Sequence, residues 1–302
     1  MSAQWKRQSR EIMGRNKLTV ALVGAGKLAG FLVPALAEAG YRVTEIVTRE
    51  QRGSMMPARA LARPVGAQVA TVRAASLDAD VVWFAVPDSE IGRAAEKVAR
   101  RMEEMGAKSP RPRFGFHSSG AVGSRKLDSL RRAGVAVASV HPLMTFVGGA
   151  PPSLRQVPFA VEGDTAAVRL ARRMVRELGG ESFVLAEKQK AAYHAWATMT
   201  SPLFLAYLVA LEEAAREAGL GRKEARRMSL PIVRQTIENY ARRGPAKSFS
   251  GPFIRGDVET VEKHLALLKR SPKVQAVYAA LARVALDGLP VRNRGKLSRL
   301  LE

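Results

Sequence analysis

A short apolar segment near residue 20 is the clearest structural signal in the chain. Residues 18–23 are almost continuously apolar and rich in branched side chains, which is typical of a strand buried on both faces of a parallel sheet. The segment stops at Gly24, and an apolar helical periodicity runs from residue 28 to residue 39 before Gly40. The pattern predicts a buried strand that turns sharply into a helix, which then ends at a glycine.

Apolar strands and amphipathic helices continue to alternate as far as residue 186. Strands that alternate with helices indicate an α/β fold with a doubly wound, mostly parallel sheet of the Rossmann type. Asp88 follows the fourth strand and is predicted to be a helix N-cap rather than a catalytic carboxylate. The further strands are predicted at residues 41–47, 67–72, 80–86, 114–117, 135–140, 158–161 and 183–185, and the helices at 91–102, around 127–130 and at 165–178.

From residue 187 onward the pattern predicts helices only. The segment 187–218 is apolar nearly all round and is interrupted by Pro202, so we expect one kinked helix or two helices, buried within a domain or against a second subunit. The residues after Pro290 are basic and are expected to be loosely held. We predict a basic N-terminal extension (1–16), a dinucleotide-binding domain (17–186) and a helical domain for substrate binding and dimerisation (187–302). Further helices are predicted at 223–241, 257–268 and 272–286.

The turn at Gly24 carries a pattern typical of dinucleotide binding. Gly24, Gly26 and Ala29 complete the motif G-x-G-x-x-A between the predicted strand and helix, which is the context that the motif requires. A pyrophosphate would lie at the helix N-terminus, where backbone N–H groups and the helix dipole favour an anion. A tight turn without a ligand is the alternative. The predicted contacts in this turn are Gly24, Ala25, Gly26, Lys27, Leu28 and Ala29.

The end of the second strand bears on the choice of cofactor. In this fold, the residue about twenty positions beyond the glycines faces the adenosine ribose, where an acid selects NAD and an arginine accepts the 2′-phosphate of NADP. Thr48 and Arg49 occupy this place, so NADP(H) is favoured over NAD(H), although Glu50 is adjacent and arginine is common throughout the chain. Val86, Pro87 and His117, at the ends of later strands, are predicted to contact the cofactor as well.

Several polar residues follow other predicted strands. Ser118 and Ser119 come after the fifth strand and His141 after the sixth. Ligands of open parallel sheets bind beyond the carboxyl ends of the strands, so we predict that these residues contact the substrate. Each of them could equally be an ordinary loop residue.

Two groups of residues in the helical half have candidate chemistry. Lys190 and His194 are four residues apart and so share a helix face, where they are candidates for polarising a substrate and moving a proton. A solvated lysine and a structural histidine are the alternative. Arg255 lies between glycine-rich turns and suits a carboxylate or phosphate, and His264 is a weaker candidate for substrate contact. Asp257 is predicted to cap a helix.

Composition narrows the functional classes. The chain has 302 residues, no cysteine and a net charge of +22, divided evenly as +11 in residues 1–150 and +11 in residues 151–302. The even division argues against a dedicated nucleic-acid surface. The pattern contains no secretory signal, no run that we expect to span a membrane and no metal-ligand spacing, so we expect a cytoplasmic protein without a bound metal.

Five motifs occur in a characteristic order: Gly-Ala-Gly-Lys-Leu-Ala from Gly24, His-Ser-Ser-Gly from His117, His-Pro-Leu from His141, Lys-Ala-Ala-Tyr-His from Lys190 and Gly-Pro-Phe-Ile-Arg-Gly-Asp from Gly251. Together with His264, the set resembles a two-domain family that pairs a Rossmann-like domain with a helical C-terminal domain of unknown function 2520. This family is similar to pyrroline-5-carboxylate reductases, 3-hydroxyisobutyrate dehydrogenases and deazaflavin-dependent NADP oxidoreductases. The helical domain is expected to resemble the C-terminal domain of 6-phosphogluconate dehydrogenase.

The resemblance implies a nicotinamide cofactor, a cleft between the domains and a homodimer formed through the helices. Lys190 matches a lysine of the hydroxyacid relatives, whereas His194 replaces their asparagine, and Pro202 stands where a second asparagine is expected. We predict an NADP(H)-dependent oxidoreductase that acts on a small carboxylate-bearing carbonyl, hydroxy or imine compound. An NADP-binding sensor or scaffold without turnover is the alternative.

Overall fold

The computed structural model describes residues 17–106, 112–147 and 153–302, so the predicted N-terminal extension lies outside the described residues. The described chain divides into two compact units between Ala197 and Thr198. This division falls beyond the predicted domain boundary at residue 187.

The first unit contains eight described strands. They are β1 (Thr19–Val23), β2 (Arg42–Thr48), β3 (Gln68–Thr71), β4 (Val81–Phe84), β5 (Phe114–His117), β6 (Ala136–Pro142), β7 (Pro158–Gly163) and β8 (Glu181–Val184).

The strands form one sheet in the order β3-β2-β1-β4-β5-β6-β7-β8. Neighbouring strands are parallel except β6 and β7, which pair antiparallel with Val140 opposite Val161. The α/β fold with a mostly parallel sheet is thus confirmed. Strand order reverses between β1 and β4, and ligands bind at such a switch point in doubly wound sheets.

Helices cover both faces of the sheet. Side chains alternate along each strand, so Trp83 of β4 joins the core on one face while Phe84 joins the core on the other. The first core includes side chains of α1, α2 and α5, and the second includes side chains of α3 and α4. The helices of this unit are α1 (Lys27–Glu38), α2 (Arg52–Ala62), α3 (Ile91–Met105), α4 (Asp128–Arg132), α5 (Thr165–Glu177) and α6 (Lys190–Thr200), which runs past the division between the units.

The second unit is helical, as predicted. Its small core joins α10, α11 and α12 and includes Val261, Leu286, Leu297 and Leu301. The prediction that the residues after Pro290 are loosely held is wrong, because Leu297 is fully buried in this core. The helices of this unit are α7 (Pro202–Arg216), α8 (Arg222–Ser248), α9 (Pro252–Arg255), α10 (Val258–Leu268), α11 (Pro272–Gly288) and α12 (Arg294–Leu300).

Two other details differ from the sequence prediction. Helix α2 was missed, because Gly53 and Pro57 weaken its helical pattern and only Ala58 and Ala62 are buried. Asp88 is not an N-cap: Pro87 occupies that position before a 3₁₀ turn, and no side chain caps it.

The sequence prediction underestimated the hydrophobicity of one apolar segment in the described chain. Glu187–Arg216 is long and apolar enough to cross a membrane by length and composition alone, with a mean hydropathy of 1.2 and 6% of its most apolar window buried. One such segment is weak evidence for a membrane span. Ser201, with φ −128° and ψ −71°, also interrupts the helical geometry between α6 and α7.

Candidate active site

The two glycines of the first turn have different surroundings. Gly24 has φ +109°, and a Cβ added there would lie 2.5 Å from the Ala85 carbonyl oxygen. The fold itself therefore requires glycine at this position. A Cβ at Gly26 would meet only that same oxygen, at 4.0 Å. The space beside Gly26 is therefore open. Helix α1 begins next to it, at Lys27, and has no side-chain cap. The first backbone N–H groups of any helix have no hydrogen-bond partner within that helix. The turn therefore fits a phosphate group.

This turn borders a cleft of about 370 Å³. The cleft brings together seven of the predicted cofactor residues, from the ends of β1, β2 and β4. Lys27, Leu28, Ala29 and His117 are not part of its lining, and Ala29 is fully buried in the core. The predicted residues in the lining are Gly24, Ala25, Gly26, Thr48, Arg49, Val86 and Pro87.

The end of the cleft at β2 is basic. Arg49 lines the cleft together with Gly53 and Ser54 from the first turn of α2, and Arg93 and Lys97 of α3 line it as well. Glu90 is the one acidic residue in the lining. Gly53 and Ser54 were not among the predicted site residues, because helix α2 itself was not predicted. An arginine next to a helix N-terminus suits a phosphate monoester, such as the 2′-phosphate of NADP.

A wider groove lies elsewhere on the first unit. It has a volume of about 950 Å³ and is lined by Arg113 and by four arginines of α5. None of the predicted site residues lines it, and it contains no glycine-rich turn of the kind found at Gly24. The cleft at β1 therefore fits a dinucleotide better.

The loop after β5 is held in place by His117. This imidazole is fully buried, its Nδ1 accepts a hydrogen bond from the Ser119 N–H at 3.2 Å, and its Nε2 donates to the Gly123 carbonyl at 3.0 Å. Burial lowers the pKa of His117 to about 4, so the ring is neutral at pH 7. Both nitrogens are used within the loop, which indicates a structural role. Ser118 accepts a hydrogen bond from the indole N–H of Trp83 at 2.8 Å.

Lys190 lies beneath the same loop. Its ammonium donates to the Ser119 carbonyl at 2.8 Å and to the Ser139 hydroxyl at 2.7 Å, and the residue is only 3% exposed. Burial lowers the pKa of Lys190 to about 8, against the opposing field of Glu162 and Asp88. Lys190 thus joins α6 to the ends of β5 and β6.

Two imidazoles converge on Gly120. A Cβ added to Gly120 would lie 2.9 Å from His141 Nε2 and 3.0 Å from His194 Cδ2, so only glycine allows both rings to approach the loop. On its other side, His141 Nδ1 lies 2.6 Å from the hydroxyl of Tyr193. The structure therefore brings together four predicted residues, His141, His194, Ser119 and Lys190.

Four further residues belong to this cluster and were not predicted from the sequence. Ser139 and Glu162 are buried polar residues within apolar strands, which is a signal that could have found them. Glu162 accepts hydrogen bonds from the Ser124 N–H at 2.7 Å and the Ser124 hydroxyl at 2.8 Å. Tyr193 and Gly120 lie inside the motifs that carry His194 and His117.

The predicted site residues of the second unit have partners of their own. The Arg255 guanidinium binds Asp257 at 2.8 Å and remains 61% exposed, while His264 Nδ1 lies 3.0 Å from the Tyr278 hydroxyl. Asp257 stands at the predicted N-cap position of α10, but its side chain makes no cap hydrogen bond. In residues 17–106, 112–147 and 153–302, no three His, Asp or Glu side chains are grouped so that they could hold a metal ion.

Two family models match the chain. Residues 6–142 match the model of a Rossmann-like domain, and residues 157–285 match that of a domain of unknown function, DUF2520. A search of curated protein sequences found no match.

Several solved structures share the fold. A Bacteroides fragilis protein with the provisional name NADP oxidoreductase BF3122 is 20% identical, with a TM-score of 0.68 over 89% of this chain and 98% of that one. An imine reductase from Myxococcus stipitatus in complex with NADP⁺ is 17% identical, with a TM-score of 0.63 over 94% and 100% of the two chains. A pyrroline-5-carboxylate reductase from Coxiella burnetii is 18% identical, with a TM-score of 0.57 over 87% and 96%.

The sheet topology and the glycine-rich turn define a protein of the Rossmann-like class. More particularly, the chain combines a Rossmann-like domain with a C-terminal DUF2520 domain, which confirms the resemblance that its motifs indicated.

Proposed function

We propose that the protein is an NADP(H)-dependent oxidoreductase that acts on a small carboxylate-bearing carbonyl, hydroxy or imine compound. The observation that carries the proposal is the open space at Gly26, at the N-terminus of α1 and on the border of the 370 Å³ cleft. The pyrophosphate would bind there, with the adenosine end towards Arg49. When bound, the nicotinamide supplies or accepts the hydride.

Arg49 and the first turn of α2 support NADP(H) over NAD(H). The lining of the cleft includes Arg49 and Ser54, whereas Glu90, its one acid, belongs to the turn before α3. An acid at the end of β2 would instead favour the free 2′-hydroxyl of NAD.

The substrate end would be formed by the loop after β5 and by α6. Lys190 holds the loop through Ser119 and Ser139, which leaves the imidazoles of His141 and His194 beside Gly120. Arg255 is exposed and is proposed to hold the acid group of the substrate in place of Asp257.

We also propose a cytoplasmic homodimer formed through α6, α7 and α8. Monomeric soluble proteins rarely expose large contiguous apolar patches, and a second copy of the chain would cover these helices. Exposed apolar side chains on them include Met199, Leu203, Leu205, Met228, Ile232 and Ile237, each more than half exposed.

The direct test is titration of the purified protein with NADPH and NADH by calorimetry, followed by NADPH oxidation assays with ketoacids, aldehydes and cyclic imines. We expect NADPH to bind more tightly and at least one class of compound to be reduced. Failure to bind either nucleotide would refute the proposal. Tight binding without turnover on any compound would instead support a sensor or scaffold.

A further inference from the structure

His141 and Tyr193 form a hydrogen-bonded pair, and the role inferred for this pair rests on the proposed function. His141 lies at the end of β6, and Tyr193 lies on α6 and is 6% exposed. Their rings meet edge to face, with centroids 5.6 Å apart and an angle of 80° between the planes. Phe183 and Trp196 flank the phenol ring at 5.8 and 6.0 Å. The aromatic neighbours therefore hold the phenol in one orientation against the imidazole.

The donor and the acceptor of this hydrogen bond follow from the other partners within reach of each group. Within the described chain the Tyr193 hydroxyl has no acceptor other than His141 Nδ1, at 2.6 Å. A buried hydroxyl that does not donate loses a hydrogen bond at a cost of about 1–3 kcal/mol. The phenol therefore donates to Nδ1, and the ring proton of a neutral His141 is on Nε2.

His141 Nε2 is available to a ligand. His141 is partly exposed rather than buried, and the hydrogen bond to Tyr193 uses Nδ1, so Nε2 is the ring nitrogen that we assign to a ligand. It lies on the side of the ring that faces Gly120 and the edge of His194. This is the carboxyl-terminal edge of the parallel strands, where ligands of such sheets bind.

The surroundings keep the pair neutral. Burial lowers the pKa of His141 to about 4, and the fields of Lys190, His194 and His117 act in the same direction, opposed by Asp88. Burial raises the pKa of Tyr193 to about 12. Neither ring gains or loses a proton over the ordinary working range of an enzyme.

We propose that His141 is a neutral hydrogen-bond donor to the reacting oxygen of a carbonyl substrate, and that Tyr193 is the positioning residue that keeps its proton on Nε2. Reduction adds hydride to the carbonyl carbon and leaves the electron pair of the C=O bond on oxygen. The Nε2–H stabilises that oxygen, and the proton that completes the alcohol comes from solvent water. No bond within the imidazole or the phenol breaks.

This arrangement favours aldehydes and ketones over cyclic imines. A protonated imine is reduced without developing negative charge, so it gains little from a neutral donor. It would also bring a second positive charge towards the Lys190 ammonium, which already acts on His141. The proposed substrate is therefore an aldehyde or a ketone, whose reacting group is uncharged, rather than a protonated imine.

The first test reads the tautomer directly. Nitrogen-15 NMR of the imidazoles, with His141→Gln to assign the signals, should show a proton on His141 Nε2 and no titration between pH 5 and 8. In Tyr193→Phe, which keeps the ring and removes the hydroxyl, the signals should become a mixture of tautomers. Tyr41→Phe is the matched control, because it removes another buried phenol, bonded to Glu177 at 2.8 Å, far from this pair in sequence. Its His141 signals should match those of the wild type.

The second test measures turnover with a panel of aldehydes, ketones and cyclic imines. Tyr193→Phe should lower kcat roughly tenfold while the Kd for NADPH stays unchanged, and His141→Gln should lower kcat roughly 100-fold. A His141 ring that titrates near pH 6.5, an unchanged tautomer in Tyr193→Phe, or faster turnover of imines would overturn the inference. Absence of NADPH binding would refute the proposed function instead, while the NMR result would still stand.

Discussion

The two glycines of the first turn carry different constraints, one from the fold and one from the proposed cofactor. The fold requires Gly24 to be glycine because a Cβ would collide with the Ala85 carbonyl, whereas Gly26 has open space around it. Sequence alone placed both glycines in one motif. The positions of the neighbouring atoms show that Gly24 cannot be replaced whereas Gly26 can. A substitution at Gly26 therefore tests cofactor binding without damage to the fold.

We expect Gly26→Ala to fold normally and to bind NADPH roughly tenfold or more weakly, because the added methyl group occupies the space proposed for the pyrophosphate. Calorimetry measures the affinity, and thermal unfolding measures the stability. Gly30→Ala is the matched control: no atom lies within 4 Å of its added Cβ, and alanine in a helix should stabilise the protein by about 0.5–1 kcal/mol. Equal NADPH affinity in both variants would exclude a phosphate at Gly26.

Arg49 tests the choice between the two nicotinamide cofactors. Arg49→Ala should weaken NADPH binding roughly tenfold and leave NADH binding nearly unchanged, since only NADPH carries the 2′-phosphate. Arg59→Ala removes the same charge from α2 at a position outside the cleft lining and should leave both affinities as they are. A parallel loss of NADPH and NADH affinity in Arg49→Ala would show that Arg49 acts only through the general positive field.

The buried His117 links stability to pH. Its pKa in the folded protein is about 4, below the unfolded value of about 6.5, so the unfolded chain binds more protons between these values. Stability should therefore fall as pH drops from 6.5 towards 4, by at most about 1.4 kcal/mol per pH unit for this residue. His117→Gln should reduce that loss in urea denaturation measured at pH 7, 5.5 and 4.5. The same pH dependence in wild type and variant would count against a neutral His117.

At the scale of elements, the sequence predicted the sheet well and the site in part. Periodicity marks strands that are buried on both faces, so all eight strands of the described chain were found close to their positions. Helix α2 was missed because its buried face consists of only two alanines. The hydrogen bonds from Lys190 to the loop join residues 71 and 51 positions apart, and no local pattern encodes such distant pairs.

Helix α6 is expected to be held to the sheet by Lys190. Lys190→Met keeps most of the apolar stem but removes the donor to Ser119 and Ser139, so we expect a loss of roughly 2 kcal/mol in urea denaturation. Lys188→Met is the control, because that lysine is exposed just before α6 and should change stability by less than about 0.5 kcal/mol. Equal stabilities of the two variants would show that the buried bonds contribute little.

At the scale of the whole molecule, the exposed apolar side chains of α7 and α8 are the feature that the proposed dimer accounts for. Sedimentation equilibrium should give twice the mass of one chain for the wild type. Ile232→Glu, at a position 63% exposed on α8, should shift the population towards monomer, because it places a charge in an apolar interface. Met56→Glu, 62% exposed on α2, is the control and should remain dimeric.

A monomeric wild type would refute the dimer. Binding of the monomer to lipid vesicles, lost in Leu205→Glu, would then point to the membrane surface as the occupant of these helices. An interface helix and a membrane-bound helix share the apolar composition of Glu187–Arg216, so the vesicle assay is the measurement that separates the two occupants.

The burial of α12 has a consequence for how the protein is made. Leu297 and Leu301 complete the core of the second unit, and Asn293 donates to the Gly256 carbonyl at 2.9 Å. This core can close only after residue 301 has left the ribosome, whereas the last strand of the first unit ends at Val184. Domains fold as units during synthesis, beginning with the N-terminal one. The sheet of the first unit should therefore form while the chain is still being translated, and the helical unit should fold after it.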